Sequence, residues 1–142
     1  MDSNVISELR RIKPHGAVLA WLNATPRDEI GVPAIVLGEL QAGAEISRRQ
    51  DAVKATELEI WIDEIVFNWE IVPIDVLIAR EWGRLMERKS KTLFEDAMIA
   101  ATARIRRLIV VTRNVKDFAH FEVQVLNPFL TNPTVSAAEQ VD

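Results

Sequence analysis

A chain of 142 residues that is 49% hydrophobic is long enough for one globular domain and too short for two. With no cysteine, a disulfide framework and a thiolate metal site are excluded, leaving oxygen ligands or His15 and His120 for any ion. A net charge of −4 argues against a broad electrostatic footprint for nucleic acid, and no apolar run approaches the roughly 18 residues of a membrane span. The N-terminus lacks the basic-then-apolar order of a secretory signal, so the expected location is cytoplasmic, away from membranes.

Helical and extended periods alternate along the chain. Val18, Leu19 and Leu22 share one face of a helix that runs to about Asn23. A short strand is expected over Glu29 to Val32, with Pro33 in the first turn of a helix carrying Ile35, Val36, Glu39, Leu40 and Gly43. That helix fades into polar Ser47 to Gln50. Asp51 then caps a long helix through Trp69, with Ile60, Trp61, Ile65 and Phe67. Glu70 to Ile74 reads as the next strand, and Asp75 as the N-cap of a helix bearing Val76, Ile78, Ala79, Trp82, Leu85 and Met86. Thr92 to Glu95 is expected as a loop and Asp96 as the opening of an alanine-rich helix to about Arg107. Leu108 to Thr112, apolar and β-branched, reads as a buried parallel strand. A helical turn over Val115 to Phe118 precedes a last strand, Val123 to Leu126. The domain is expected to occupy residues 1–130, and the polar residues 131–142 to be a disordered tail.

This alternation implies an α/β sandwich of three layers, a parallel sheet between helices, with ligands bound outside the carboxyl ends of the strands. Asp2, Glu39, Asp96 and Asp117 have a topological reason to meet there. On a helix, residues three and four apart are neighbours, so Glu39 sits among Ile35, Val36, Ala42 and Gly43, with no Lys or Arg. Asp96 adjoins Ile99 and Ala100, and Asp2 adjoins Val5 and Ile6. A carboxylate on such a core-facing stripe needs a donor, a cation or a metal. Several together, with few bases nearby, point to a divalent-metal site for cutting phosphodiester bonds. Asp96 also suits a plain N-cap and Asp117 a solvated turn, while Glu95 reads as a neighbour of the site. The basic clusters, Arg10, Arg11 and Lys13 among them, read as solvated helix faces. His15 and His120 are expected at the surface, and the four tryptophans in the core or at a dimer contact.

The opening Asp2-Ser3-Asn4-Val5-Ile6-Ser7-Glu8 and the segment Glu39-Leu40 with Gly43 resemble a PIN domain. So do the run Glu95 to Ala103 and Thr112-Arg113-Asn114 through Asp117-Phe118. Together these motifs extend the resemblance over roughly residues 1 to 129. The subgroup they look closest to is the VapC and FitB toxins of bacterial toxin–antitoxin pairs. This resemblance implies a sheet of about five parallel strands, Mg²⁺- or Mn²⁺-dependent cleavage of RNA, and inhibition by a small cognate antitoxin. It also implies that Asp2, Glu39 and Asp96 form the metal-binding core, joined by Asp117 or by the position that Asn114 holds. Ser3, Asn4, Thr112 and Asn114 stand beside them as partners for the carboxylates or for substrate. The family begins with several apolar residues of a central strand before the first acid, whereas Met1 precedes Asp2 directly here; a truncated first strand is expected.

The chemistry suits these residue types. Phosphate esters resist hydroxide because they are anionic, and a divalent ion both neutralises the oxygens and activates a water. Mg²⁺ favours a few carboxylates and keeps several waters. An anionic crevice also invites a cationic segment, so an antitoxin arginine placed among the acids would block the site. The long helix, with Leu58, Ile60, Trp61, Ile62 and Ile65 on more than one face, is expected to bury against a second copy or the antitoxin. A homodimer is expected, reaching promoter DNA only through the antitoxin. Two rivals stay open: a DNA-directed nuclease using the same acids, and a catalytically inactive member serving as the antitoxin-binding half of a repressor. A phosphatase of the haloacid-dehalogenase type needs an acid where Asn4 stands.

Overall fold

The hydrophobic period that alternates along the chain is matched by the elements of the computed structural model, which describes residues 1–138. Helices α1 (Ser3–Leu9) and α2 (Gly16–Ala24) precede a 3-10 turn (Arg27–Glu29), strand β1 (Gly31–Pro33) and helix α3 (Ala34–Arg48). Then come α4 (Ala52–Asn68), β2 (Glu70–Val72), α5 (Val76–Leu85) and α6 (Phe94–Arg106). Strands β3 (Val110–Val111), β4 (Gln124–Leu126) and β5 (Ser136–Ala137) complete the described chain.

Besides Asp2 at the start of α1, two helix starts rest on aspartate caps. Asp51 accepts from the Lys54 amide at 3.1 Å and Asp75 from the Ile78 amide at 2.9 Å, each worth about 1 kcal/mol. The second oxygen of Asp75 takes the Arg106 guanidinium, tying the end of α6 to the start of α5. Other boundaries differ from expectation. Glu29 belongs to the 3-10 turn, and Pro33 ends β1 and caps α3 instead of entering its first turn. The α6 helix opens at Phe94, after a 3-10 turn at Lys91–Leu93, so Asp96 lies within its first turn and does not begin it.

The expected single sheet of about five parallel strands divides in two. β1 pairs in parallel with β2, β3 pairs in parallel with β4, and β5 runs antiparallel to β4. Between the two sheets stand only Met1 and Asp2. The Met1 amine donates to Gly31 O at 2.6 Å and the Asp2 amide to Val111 O at 2.9 Å. One bond to each side joins the halves but is too little for a strand. Beside this bridge is a cavity of about 180 Å³, walled by Ile30, Gly31, Val72, Ile109 and Val110. Ile109 and Leu108, expected inside a buried strand, are each 41% exposed and lie outside β3 for the same reason.

The tail also departs from the expected disorder. Ala138 is fully buried and its amide donates to Val123 O at 3.0 Å, which seats β5 on β4. Residues 139–142 lie outside the described residues.

At the centre runs α6, buried without interruption from Ala97 to Ala103. Its four alanines let α3 and α5 approach closely, as small side chains at a helix crossing do. Val5, Ile6, Val18, Val32, Val36, Phe118, Phe121 and Val125 complete the core. Among the described residues no helix is long and apolar enough to cross a membrane.

Candidate active site

Asp2 is 5% exposed and fully engaged. It is the N-cap of α1, where Oδ1 accepts from the Ser3 amide at 2.7 Å. Oδ2 accepts from Thr112 Oγ1 at 2.7 Å and from Asn4 Nδ2 at 3.1 Å. Thr112 follows β3, is fully buried, and accepts in turn from the Asn114 amide at 3.1 Å and from Asn4 Nδ2 at 3.2 Å. Asn4 Oδ1 takes the Arg113 amide at 3.0 Å. The start of α1 is thus latched to the end of β3, and the Asp2 carboxylate is held in one orientation.

Glu39 lies on α3 and its Oε2 accepts from Ser3 Oγ at 3.3 Å. Its Oε1 is buried with no hydrogen-bond partner, a costly state for a carboxylate oxygen. Burial first, then the charges of Glu95 and Asp2, push its carboxyl up to about 7, against a smaller opposing effect of Ser3. Asp96, in the first turn of α6, is pushed up to about 6 by burial and by Asp2, Asp117 and Glu95. Asp117 is exposed on the 3-10 turn Val115–Phe118 and joins the cluster through its charge on Asp96. Asn114 caps that turn without a side-chain bond.

The four predicted acids are therefore electrostatic neighbours. Among the described residues none of them, nor Glu95, forms an ion pair. Nor do any three carboxylates converge closely enough to cage an ion as they stand. Glu95 is the residue that sequence reasoning undervalued: its charge ranks first among those acting on Glu39. The signal was its place next to Asp96, but a surface glutamate at a helix start carries no sequence mark of what it faces.

His15 and His120 are at the surface as expected. Arg104 and Arg106 are spent on Glu81 and Asp75 and take no part in the site.

Carboxylates brought together from the start of α1, from α3, from the first turn of α6 and from the turn after β3 mark one acidic face of a helix-covered α/β domain. A family model described as PIN domain matches residues 1–123, and the chain belongs to the PIN domain family. It is 30% identical over 135 residues to the toxin FitB of Neisseria gonorrhoeae, spanning 91% of this chain and 96% of FitB. The VapC ribonuclease Y4jK of Sinorhizobium fredii is 30% identical over 135 residues with the same coverage. The structure of FitAB bound to an IR36 DNA fragment superposes with a TM-score of 0.76 at 27% identity, covering 92% of this chain and 95% of that one.

Proposed function

We propose that this protein is a metal-dependent endoribonuclease, the toxin half of a toxin–antitoxin pair. The observation that carries the reading is the cationless group of Asp2, Glu39, Asp96 and Asp117, with Glu39 Oε1 buried and unpaired. An orphaned carboxylate oxygen among acids that repel one another fits Mg²⁺ or Mn²⁺, for which these four residues are the ligand set. Such an ion supplies charge neutralisation at the phosphate oxygens and a water of lowered pKa.

The chain's own residues do the rest. Thr112 and Asn4 hold the Asp2 carboxylate in place, and Ser3 does the same for Glu39. The name of one relative, a VapC ribonuclease, supports RNA as substrate, and that of another, the toxin FitB, supports the toxin role.

The same acids suit a cationic antitoxin segment, with DNA reached only through that partner, as the FitAB complex with DNA suggests by analogy. Exposed Ile60, Val66 and Phe67 on α4 support a homodimer or antitoxin contact there.

A second reading, an inactive antitoxin-binding half of a repressor, is favoured by the neutral Asn114, which stands where the family resemblance allows a fourth acid. Cleavage of mixed-sequence single-stranded RNA and its DNA counterpart with Mn²⁺ separates the two, with EDTA and Asp96→Asn as controls. RNA cutting lost in both controls establishes the ribonuclease. Cutting of DNA alone redirects it to a DNA nuclease, and no cutting by folded protein leaves the binding role.

A further inference from the structure

Glu39 also forms part of the wall of a groove of about 310 Å³ that leads away from the acids, between α1 and the hairpin of α3 and α4. Its other walls include Arg10, Gly43, Lys54, Leu58 and Trp61. Volumes of this order lie at the small end of the ~300–1,000 Å³ of ligand sites.

Three features set this groove apart. The Arg10 guanidinium lies over the Trp61 ring, 5.5 Å from its centroid, so an aromatic face orients it. Arg10 and Lys54 form no ion pairs among the described residues, unlike Arg48, Arg84, Arg104 and Arg106. The nearby Asp51 carboxylate is occupied by the Lys54 amide. Gly43 is the third feature. It interrupts a long helix, where glycine is less favourable than alanine, and a Cβ built there would meet nothing within 4 Å. The space beside it is open, and no packing in this chain requires it. Gly38 is equally open but lies outside the groove.

Resting on the ribonuclease reading, we infer that this groove seats a nucleotide of single-stranded RNA flanking the phosphate at the acids, its own phosphate received by Arg10 and Lys54. Charge decides the occupant. A chain of net charge −4 with an acidic site repels a polyanion, so binding depends on unpaired cations beside that site. A basic peptide would meet Arg10 and Lys54 with like charge. Trp61 and Leu58 then pack against the sugar or base edge, and Gly43 leaves room for it.

The test is fluorescence anisotropy of a short labelled single-stranded RNA with the full chain in EDTA, across a salt series. In parallel, Mn²⁺-dependent turnover is followed on bis(p-nitrophenyl) phosphate, which carries no second phosphate for Arg10 and Lys54 to receive. Arg10→Ala with Lys54→Ala is expected to weaken RNA binding about tenfold and to lower the salt slope by about one, with bis(p-nitrophenyl) phosphate turnover unchanged. Gly43→Gln, a better helix former, is expected to fold at least as stably and to weaken RNA binding likewise. Arg107→Asn, at the far end of α6, is the control expected to change nothing.

RNA cut and bound with full affinity by the double variant overturns the groove and leaves the ribonuclease. Groove-dependent RNA binding without cutting by Mg²⁺ or Mn²⁺ overturns the ribonuclease and leaves the groove. A double variant that keeps RNA affinity but loses a basic antitoxin peptide assigns the groove to the partner protein and overturns the inference.

Discussion

Thr112 is the residue on which the site's geometry turns. Its hydroxyl donates to Asp2 and accepts from the Asn114 amide and from Asn4, all at a fully buried position. Thr112→Val keeps the shape but strands those partners, so a loss of about 1–3 kcal/mol in urea unfolding is expected, with a fall in nuclease activity. Asp96 and Glu39 bear a second expectation, since both bind protons more tightly folded than unfolded. Asp96 is pushed up from its ordinary 3.8 to about 6, and Glu39 from 4.5 to about 7. Their contribution to metal-free stability is therefore present at low pH and is lost as pH rises through about 6 and then about 7. In EDTA, the melting temperature should fall across this window, and Glu39→Gln should flatten the fall; an unchanged slope would count against the burial of that carboxylate.

At the level of elements, helix starts were legible where one side chain sets them. Asp51 and Asp75 cap as expected because an N-cap bond spans only three residues. Strand lengths were not legible, since a strand exists only where a neighbour bonds to it. Leu108 and Ile109 have the composition of a buried strand, but the position beside them is held by only two residues, Met1 and Asp2. In α6, by contrast, space is already taken. Ala100 is fully buried, so Ala100→Leu should cost about 1–3 kcal/mol through overpacking, measured by denaturant midpoint. Gly43→Ala, on an open face, should stabilise by about 0.5–1 kcal/mol.

Over the whole molecule, acids that form no ion pair are a liability that a bound ion would remove. Binding of Mg²⁺ or Mn²⁺ to the folded chain alone should raise its stability in proportion to the logarithm of ion concentration, by about 2.7 kcal/mol at a hundredfold excess over Kd. Calorimetry of the wild-type chain and of Asp96→Asn checks this: a variant stabilised as strongly as its parent would remove Asp96 from the ligand set.

Which acids ride on apolar stripes could be read along the chain because periodicity assigns each residue to a face. Glu39 and Asp96 stand on apolar stripes where an ionised group has no structural use, and the motifs around them carry the family. How those acids are held could not be read there. The latch of Asn4 and Thr112 on Asp2 joins positions 108 and 110 residues apart, and the charge of Glu95 on Glu39 crosses from α6 to α3. Local pattern encodes which way a side chain faces, whereas through-space hydrogen bonds and desolvation exist only once helices and strands have packed.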